Sequence, residues 1–145
     1  YGLGNGLYFP FSVGATAILW PGAPTAQNVY AVIEKHQPTP FYSVPTSYGM
    51  LLAHAHPSTG AGRAEEFDLS SVRLAVSAGE ALPAALYERF KQRFGGALVA
   101  GLGPPESHHM FIAHRTEPLR PSTSGPLVPG SAAPLLGTVN NVLGG

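Results

Sequence analysis

The hydrophobic pattern changes period several times along the chain, and each change predicts an element. Val72, Leu74 and Val76 alternate with Arg73 and Ala75, a two-residue period whose β-branched positions suit a half-buried pleated strand ending at Ser77-Ala78-Gly79. Leu86, Phe90 and Phe94 then recur at helical spacing, with Tyr87 on the neighbouring row. Pro83 suits the first turn of that helix, Lys91 and Arg93 meet the negative end of its dipole, and Gly95 supplies a left-handed stop. Ala97 to Ala100 is apolar again and leads to Gly101-Leu102-Gly103, which predicts a second strand parallel to the first across a right-handed crossover. The segment is therefore a βαβ unit, and both glycine turns lie at the carboxyl ends of its strands, where open α/β sheets collect ligands.

Upstream, residues 1–33 contain no charged side chain, and Leu7 to Trp20 is largely apolar. A membrane helix or signal peptide is opposed by the lack of a basic n-region, by Pro10, by Gly2, Gly4, Gly6 and Gly14, and by Asn5, Ser12 and Thr16. The expectation is a buried helix followed by a core strand, Ala15 to Trp20. The Gly2-Leu3-Gly4-Asn5-Gly6 run lacks the preceding strand and third glycine of a dinucleotide loop. Thr25 is placed to cap a helix with Val29, Val32 and Ile33 inward, ended by Gln37-Pro38. Phe41 to Val44 is a short strand. Pro45-Thr46-Ser47 opens another helix, with Tyr48, Leu51, Leu52 and Ala55 inward and Pro57 closing it. Ser58 to Glu66 is polar and reads as an exposed loop, Phe111 to Ala113 as a short strand. Beyond Arg115, Pro118, Pro121, Pro126, Pro129 and Pro134 punctuate a loop-rich C-terminal tail. No repeat or heptad is visible.

The 145 residues suffice for one ordinary domain. Eight basic and eight acidic residues cancel, so net charge offers nothing to attract nucleic acid or an anionic membrane. The absence of cysteine excludes disulfide and thiolate chemistry and fits a reducing cytoplasm. Only 11% of residues are charged, while Gly and Pro number 18 and 15, a composition expected of a piece of a larger core. The first residue, Tyr1, and the final Gly144-Gly145 carry the same expectation.

Several residues invite chemistry. His54 and His56 point to different sides of a helix and would chelate one metal poorly, so a solvated helix end is the simpler reading. His108 and His109 follow Glu106 at the sheet's mouth; neighbours on a strand face oppositely, so one of the pair can line a given pocket, and a histidine satisfied by loop backbone remains the alternative. Ala75-Val76-Ser77-Ala78-Gly79 resembles a nucleophile elbow and raises a serine-hydrolase reading with Ser77 as nucleophile and His108 or His109 as base. Against it, the helix begins several residues later, Glu106 and His108 stand too close together for a hydrolase's chain order, and no glycine-rich oxyanion loop precedes the strand. Glu80 and Glu106 each follow a strand end and a glycine turn, where a carboxylate can hold magnesium beside phosphate; for Glu80 a helix N-terminal acid is the alternative.

Four ordered stretches, Tyr1 to Ala17 (YGLGNGLYFPFSVGATA), Phe41 to Tyr48 (FYSVPTSY), Ser77 to Pro83 (SAGEALP) and Gly101 to Phe111 (GLGPPESHHMF), resemble the adenylate-forming superfamily, and within it benzoate and related aryl-acid CoA ligases. The resemblance is strong from Tyr1 to about Gly95 and patchy to Gly130. It implies an α/β fold in which residues 1–130 are part of an AMP-binding large N-terminal domain, built of βαβ units on a largely parallel sheet, with 131–145 an unassigned tail. It also implies a small aromatic carboxylic acid as substrate with ATP, Mg2+ and coenzyme A: the acid attacks the α-phosphate to give an acyl-adenylate and pyrophosphate, and the thiol then displaces AMP. Positioning and charge stabilisation dominate such a reaction.

Carried onto this chain, the resemblance implies an adenine site at Gly79, Glu80, Ala81 and Leu82, with Gly101 and Gly103 also facing the nucleotide. It gives Glu106 the catalytic, magnesium-binding acidic place, and Tyr1, Ala78, Gly79, Gly103, His109 and Met110 the aryl-acid pocket. The chemistry is apt: Tyr1 supplies a flat wall, glycine and alanine leave room for a ring, and His109 can donate to a carboxylate. Departures accompany it. Pro104 and Pro105 stand where the family carries hydroxyl residues, removing a phosphate-binding hydroxyl and a backbone N–H, and Ala100 replaces an acid usual beside the adenine. The lysine-bearing phosphate loop, the ribose-binding aspartate, the hinge and the lysine-bearing C-terminal domain are not in these residues. The expectation is a ligase fragment that does not turn over alone, with a non-enzymatic remnant of the fold as the alternative.

Overall fold

The computed structural model describes residues 1–54, 68–103, 110, 112–113 and 125–129. Its framework is a sheet in the order β1 (Pro40–Ser43), β2 (Leu74–Ser77), β3 (Ala97–Leu102) and β4 (Ile112–Ala113). The first three strands are parallel, and β4 runs antiparallel to β3. Ile112 also bridges Leu127. The expected mixed α/β architecture with a largely parallel sheet is therefore present. β3 extends to Leu102, so the glycine of Gly101-Leu102 is a strand residue whose partner is Ala113.

Three α-helices pack on this framework: α2 (Ala26–His36), α3 (Pro45–His54) and α4 (Ala84–Phe94). Thr25 caps α2, its hydroxyl accepting from Asn28 N at 3.3 Å, and Gln37 closes it in the left-handed conformation. In α4 the expected Pro83 stands one residue earlier, at the N-cap, while Gly95 takes the left-handed stop at φ 66°. The buried cluster joins Tyr30 and Ile33 of α2, Tyr48, Leu51 and Leu52 of α3, and Tyr87 and Phe90 of α4 to Ala75 and Leu98 of the sheet. Tyr48 meets Phe41 and Phe90 edge-on, at 5.7 and 5.3 Å between ring centroids. The Tyr30 hydroxyl donates to Leu51 O at 2.9 Å, tying α2 to α3, and burial pushes that phenol up to about 12.

Two expectations fail here. Val72, Leu74 and Val76 do not form one buried face: Leu74 is exposed, while Ala75, Val76 and Ser77 are all buried. A central parallel strand is covered on both sides, so its sequence need not alternate. The first segment is neither a buried helix nor a core strand. A π-helical turn, Gly4–Tyr8, runs into the short helix α1 (Phe9–Ser12), and Ala15 to Trp20 is irregular, with Leu19 75% and Trp20 51% exposed. Apolar composition alone does not make a strand; the backbone needs a paired neighbour, and no described strand pairs with this segment. No described helix is long and apolar enough to cross a membrane. The expected loop at Ser58 to Glu66 and most of the proline-rich tail lie outside the described residues.

Candidate active site at the carboxyl edge of the sheet

Parallel pairing sets the ends of β1, β2 and β3 side by side, because Ser43 pairs with Ser77 and Ser77 with Ala100. The backbone that follows each end therefore emerges at one edge. At β2 this is Ala78-Gly79-Glu80-Ala81-Leu82, an irregular link to α4 in which Gly79 to Ala81 are exposed. Gly79 has φ +86°, a conformation that L side chains rarely adopt, so the turn requires glycine.

Tyr1 reaches this edge from the start of the chain. Its hydroxyl donates towards Ser43 O at 3.3 Å and Val76 O at 3.2 Å, and its ring meets Tyr42 edge-on at 6.5 Å. Ala78 N–H shares the Ser43 acceptor at 3.3 Å. Tyr48 donates to Val76 O at 2.9 Å and lies 3.2 Å from Phe41 O. Tyr48 belongs to the helix-covered core and Tyr1 packs with Tyr42, whose neighbour Phe41 faces that core, so two phenols pin one carbonyl from opposite faces of the sheet. Desolvation raises the pKa of both tyrosines above the usual phenol range, which keeps both hydroxyls as donors.

Glu80 is not a residue of α4, which begins at Ala84; its carboxylate accepts from the Thr46 hydroxyl in the first turn of α3, at 2.9 and 3.1 Å to its two oxygens. The alternative reading of Glu80, an acid in the first turn of its own helix, does not hold, because that helix begins at Ala84. In the sequence Thr46 stands out only within the helix opening Pro45-Thr46-Ser47, not as a site residue. The signal for it is register: Phe41 pairs with Ala75 and Ser43 with Ser77, an offset of 34, and the Thr46–Glu80 bond repeats that offset of 34 beyond the strand ends. On β3, a Cβ at Gly101 would fall on the Met110 side chain, so these two expected site residues are in direct contact. Gly103 follows the strand, half-buried.

Ser77 is 1% exposed, and its Oγ has no hydrogen-bond partner among the described residues. A nucleophile elbow needs an exposed hydroxyl beside a base, so this placement opposes the hydrolase reading. Glu106, His108, His109, Pro104 and Pro105 lie outside the described residues, as does His56. His54 ends α3 and stacks on Tyr30 at 6.3 Å. No group of three metal-binding side chains occurs among the described residues.

The α/β fold, with its strand-to-helix turns at one carboxyl edge, matches the N-terminal domain of adenylate-forming enzymes of known structure. An anthranilate CoA ligase, AuaEII, crystallised with anthranoyl-AMP, superposes with a TM-score of 0.78 at 43% identity over 90% of this chain and 24% of its own. A benzoate CoA ligase from Burkholderia xenovorans LB400 gives 0.76 at 45% identity, over 90% of this chain and 25% of its own. The family model described as AMP-binding enzyme matches residues 1–143, and the chain belongs to that family. Among characterised relatives, the benzoate–CoA ligase of Thauera aromatica is 43% identical over 131 residues, covering 90% of this chain and 23% of the relative. The 4-hydroxybenzoate–CoA/benzoate–CoA ligase of Rhodopseudomonas palustris is 39% identical, covering 94% and 24%. The chain thus spans about a quarter of the length of these ligases.

Proposed function

We propose that this chain forms the aryl-acid and adenine side of the active site of an ATP-dependent aryl-acid CoA ligase, working in the cytoplasm. The observation that carries the reading is the shared carboxyl edge of three parallel strands, which gathers Tyr1, Ala78 to Leu82 and the Gly101–Met110 contact. Residues 1–130 are read as part of the large N-terminal domain of such an enzyme.

The residues fit a nucleotide. Gly79 and Ala81 are exposed and carry little side-chain bulk beside a flat ligand, the Glu80 carboxylate is turned to Thr46, and the positive φ at Gly79 requires glycine there. Tyr1, held through its hydroxyl to main-chain carbonyls, keeps its ring fixed as a wall for an aromatic acid. ATP, bound with Mg2+, would supply an adenylyl group: the substrate carboxylate would bond to the α-phosphorus as pyrophosphate leaves, and the coenzyme A thiol, losing its proton, would then take the acyl group as AMP leaves. What these residues contribute is binding and orientation. Glu106 is assigned the magnesium on the strength of the resemblance, and His109 the carboxylate.

The chain alone is expected to be inactive, so the test is a graft of residues 1–143 in place of the aligned part of the Thauera aromatica ligase. The expected result is ATP–pyrophosphate exchange that requires an aromatic acid. A folded graft with no exchange for any aromatic acid contradicts the reading.

A further inference from the structure

We propose that Thr46 is a positioning residue for nucleotide binding, its hydroxyl holding Glu80 so that the Gly79–Leu82 link keeps the shape a flat base requires. The inference rests on the nucleotide reading above and names a residue outside it.

Three successive positions of the link are tied to the turn between β1 and α3. Ala78 N–H donates to Ser43 O at 3.3 Å. Next, Gly79 lies beside Val44, where an added Cβ would stand at van der Waals distance, 3.5 Å, from Val44 Cγ1. Then the Thr46 hydroxyl reaches the Glu80 carboxylate at 2.9 and 3.1 Å. The first is a main-chain hydrogen bond and the second is proximity alone. The third alone joins two side chains, and it can be cut without disturbing the backbone.

Beyond Glu80 the link has no regular structure until Ala84, and its next anchor is Leu82, which packs against the core. The course of Glu80 and Ala81 between Gly79 and that anchor therefore depends on where the Glu80 side chain is held. Thr46 is well placed to hold it, because it sits in the first turn of α3 and that helix is anchored through Tyr48, Leu51 and Leu52 in the core. Both partners of the bond are exposed. An exposed bond of this kind adds little to global stability, so its consequence lies in the local order of the link. A disordered link must be fixed when ligand binds, which weakens affinity.

The experiment is calorimetric titration of the full chain with AMP, together with amide hydrogen exchange of the link. Thr46→Val is expected to bind AMP about five-fold more weakly, the loss of roughly one hydrogen bond, with an unchanged thermal midpoint and faster exchange at Ala78, whose N–H donates to Ser43 O. Thr46→Ser, which keeps the hydroxyl, restores affinity and protection. In a Glu80→Ala background, Thr46→Val costs nothing further. Wild-type affinity and protection in Thr46→Val overturn the inference and leave the nucleotide reading standing, as does an undiminished loss in the Glu80→Ala background. An unmodified chain that folds yet does not bind AMP overturns the nucleotide reading, and the inference with it.

Discussion

Tyr48 shows how much one side chain can fix at this edge. Its ring fills the core between Phe41 and Phe90, while its hydroxyl crosses to the Val76 carbonyl at the end of β2. Tyr48→Phe keeps the ring and deletes the hydroxyl. Val76 O retains the Tyr1 donor at 3.2 Å, so the carbonyl is not orphaned and the expected cost is only about 1 kcal/mol, read by urea denaturation. An unchanged midpoint would mean that the phenol contributes only its ring. The aromatic residues that do this were legible as apolar positions at helical spacing. Their polar ends were not, because the spacing of Tyr48 within α3 carries no information about a carbonyl 28 residues away. Ser77 gives the complementary lesson: its motif suggested an exposed nucleophile, and its place on a central strand buried it.

At the scale of elements, the boundaries set by local chemistry were read well. Thr25 caps α2, Gly95 stops α4, and the strands β2 and β3 are parallel as the intervening helix requires. Thr25→Ala is expected to lower stability by about 1 kcal/mol, with Thr25→Ser close to wild type in the same denaturation measurement. Equal stability of the two variants would show that the cap bond at 3.3 Å is idle. Elements that depend on a partner were read badly. Ala15 to Trp20 has the composition of a strand and none of the pairing, and Leu74 is exposed although it occupies the expected inward phase. The Thr46–Glu80 bond failed to show for the same reason. It follows from strand register, which is fixed between segments and not within either one.

For the whole molecule, the sheet order explains why chemistry concentrates where it does. Parallel strands joined through helices bring every strand-to-helix turn to one edge, and Tyr1 is drawn to that edge through the Ser43 and Val76 carbonyls. The opposite behaviour marks much of residues 3–20, where Leu3, Tyr8, Phe11, Val13, Leu19 and Trp20 are all exposed. Family membership, with the chain matching about a quarter of each related ligase, makes the carboxyl edge the place to look for ligand. The most direct measurement is a map of backbone amide shifts in the isotopically labelled chain as a non-hydrolysable benzoyl-adenylate analogue is added. Changes are expected at Ser43, Val44 and Thr46, at Ser77 to Leu82 and at Gly101 to Gly103, with the Tyr1 ring resonances moving in the same titration. Changes confined to the outer faces of α2 and α4, with that edge silent, would contradict it.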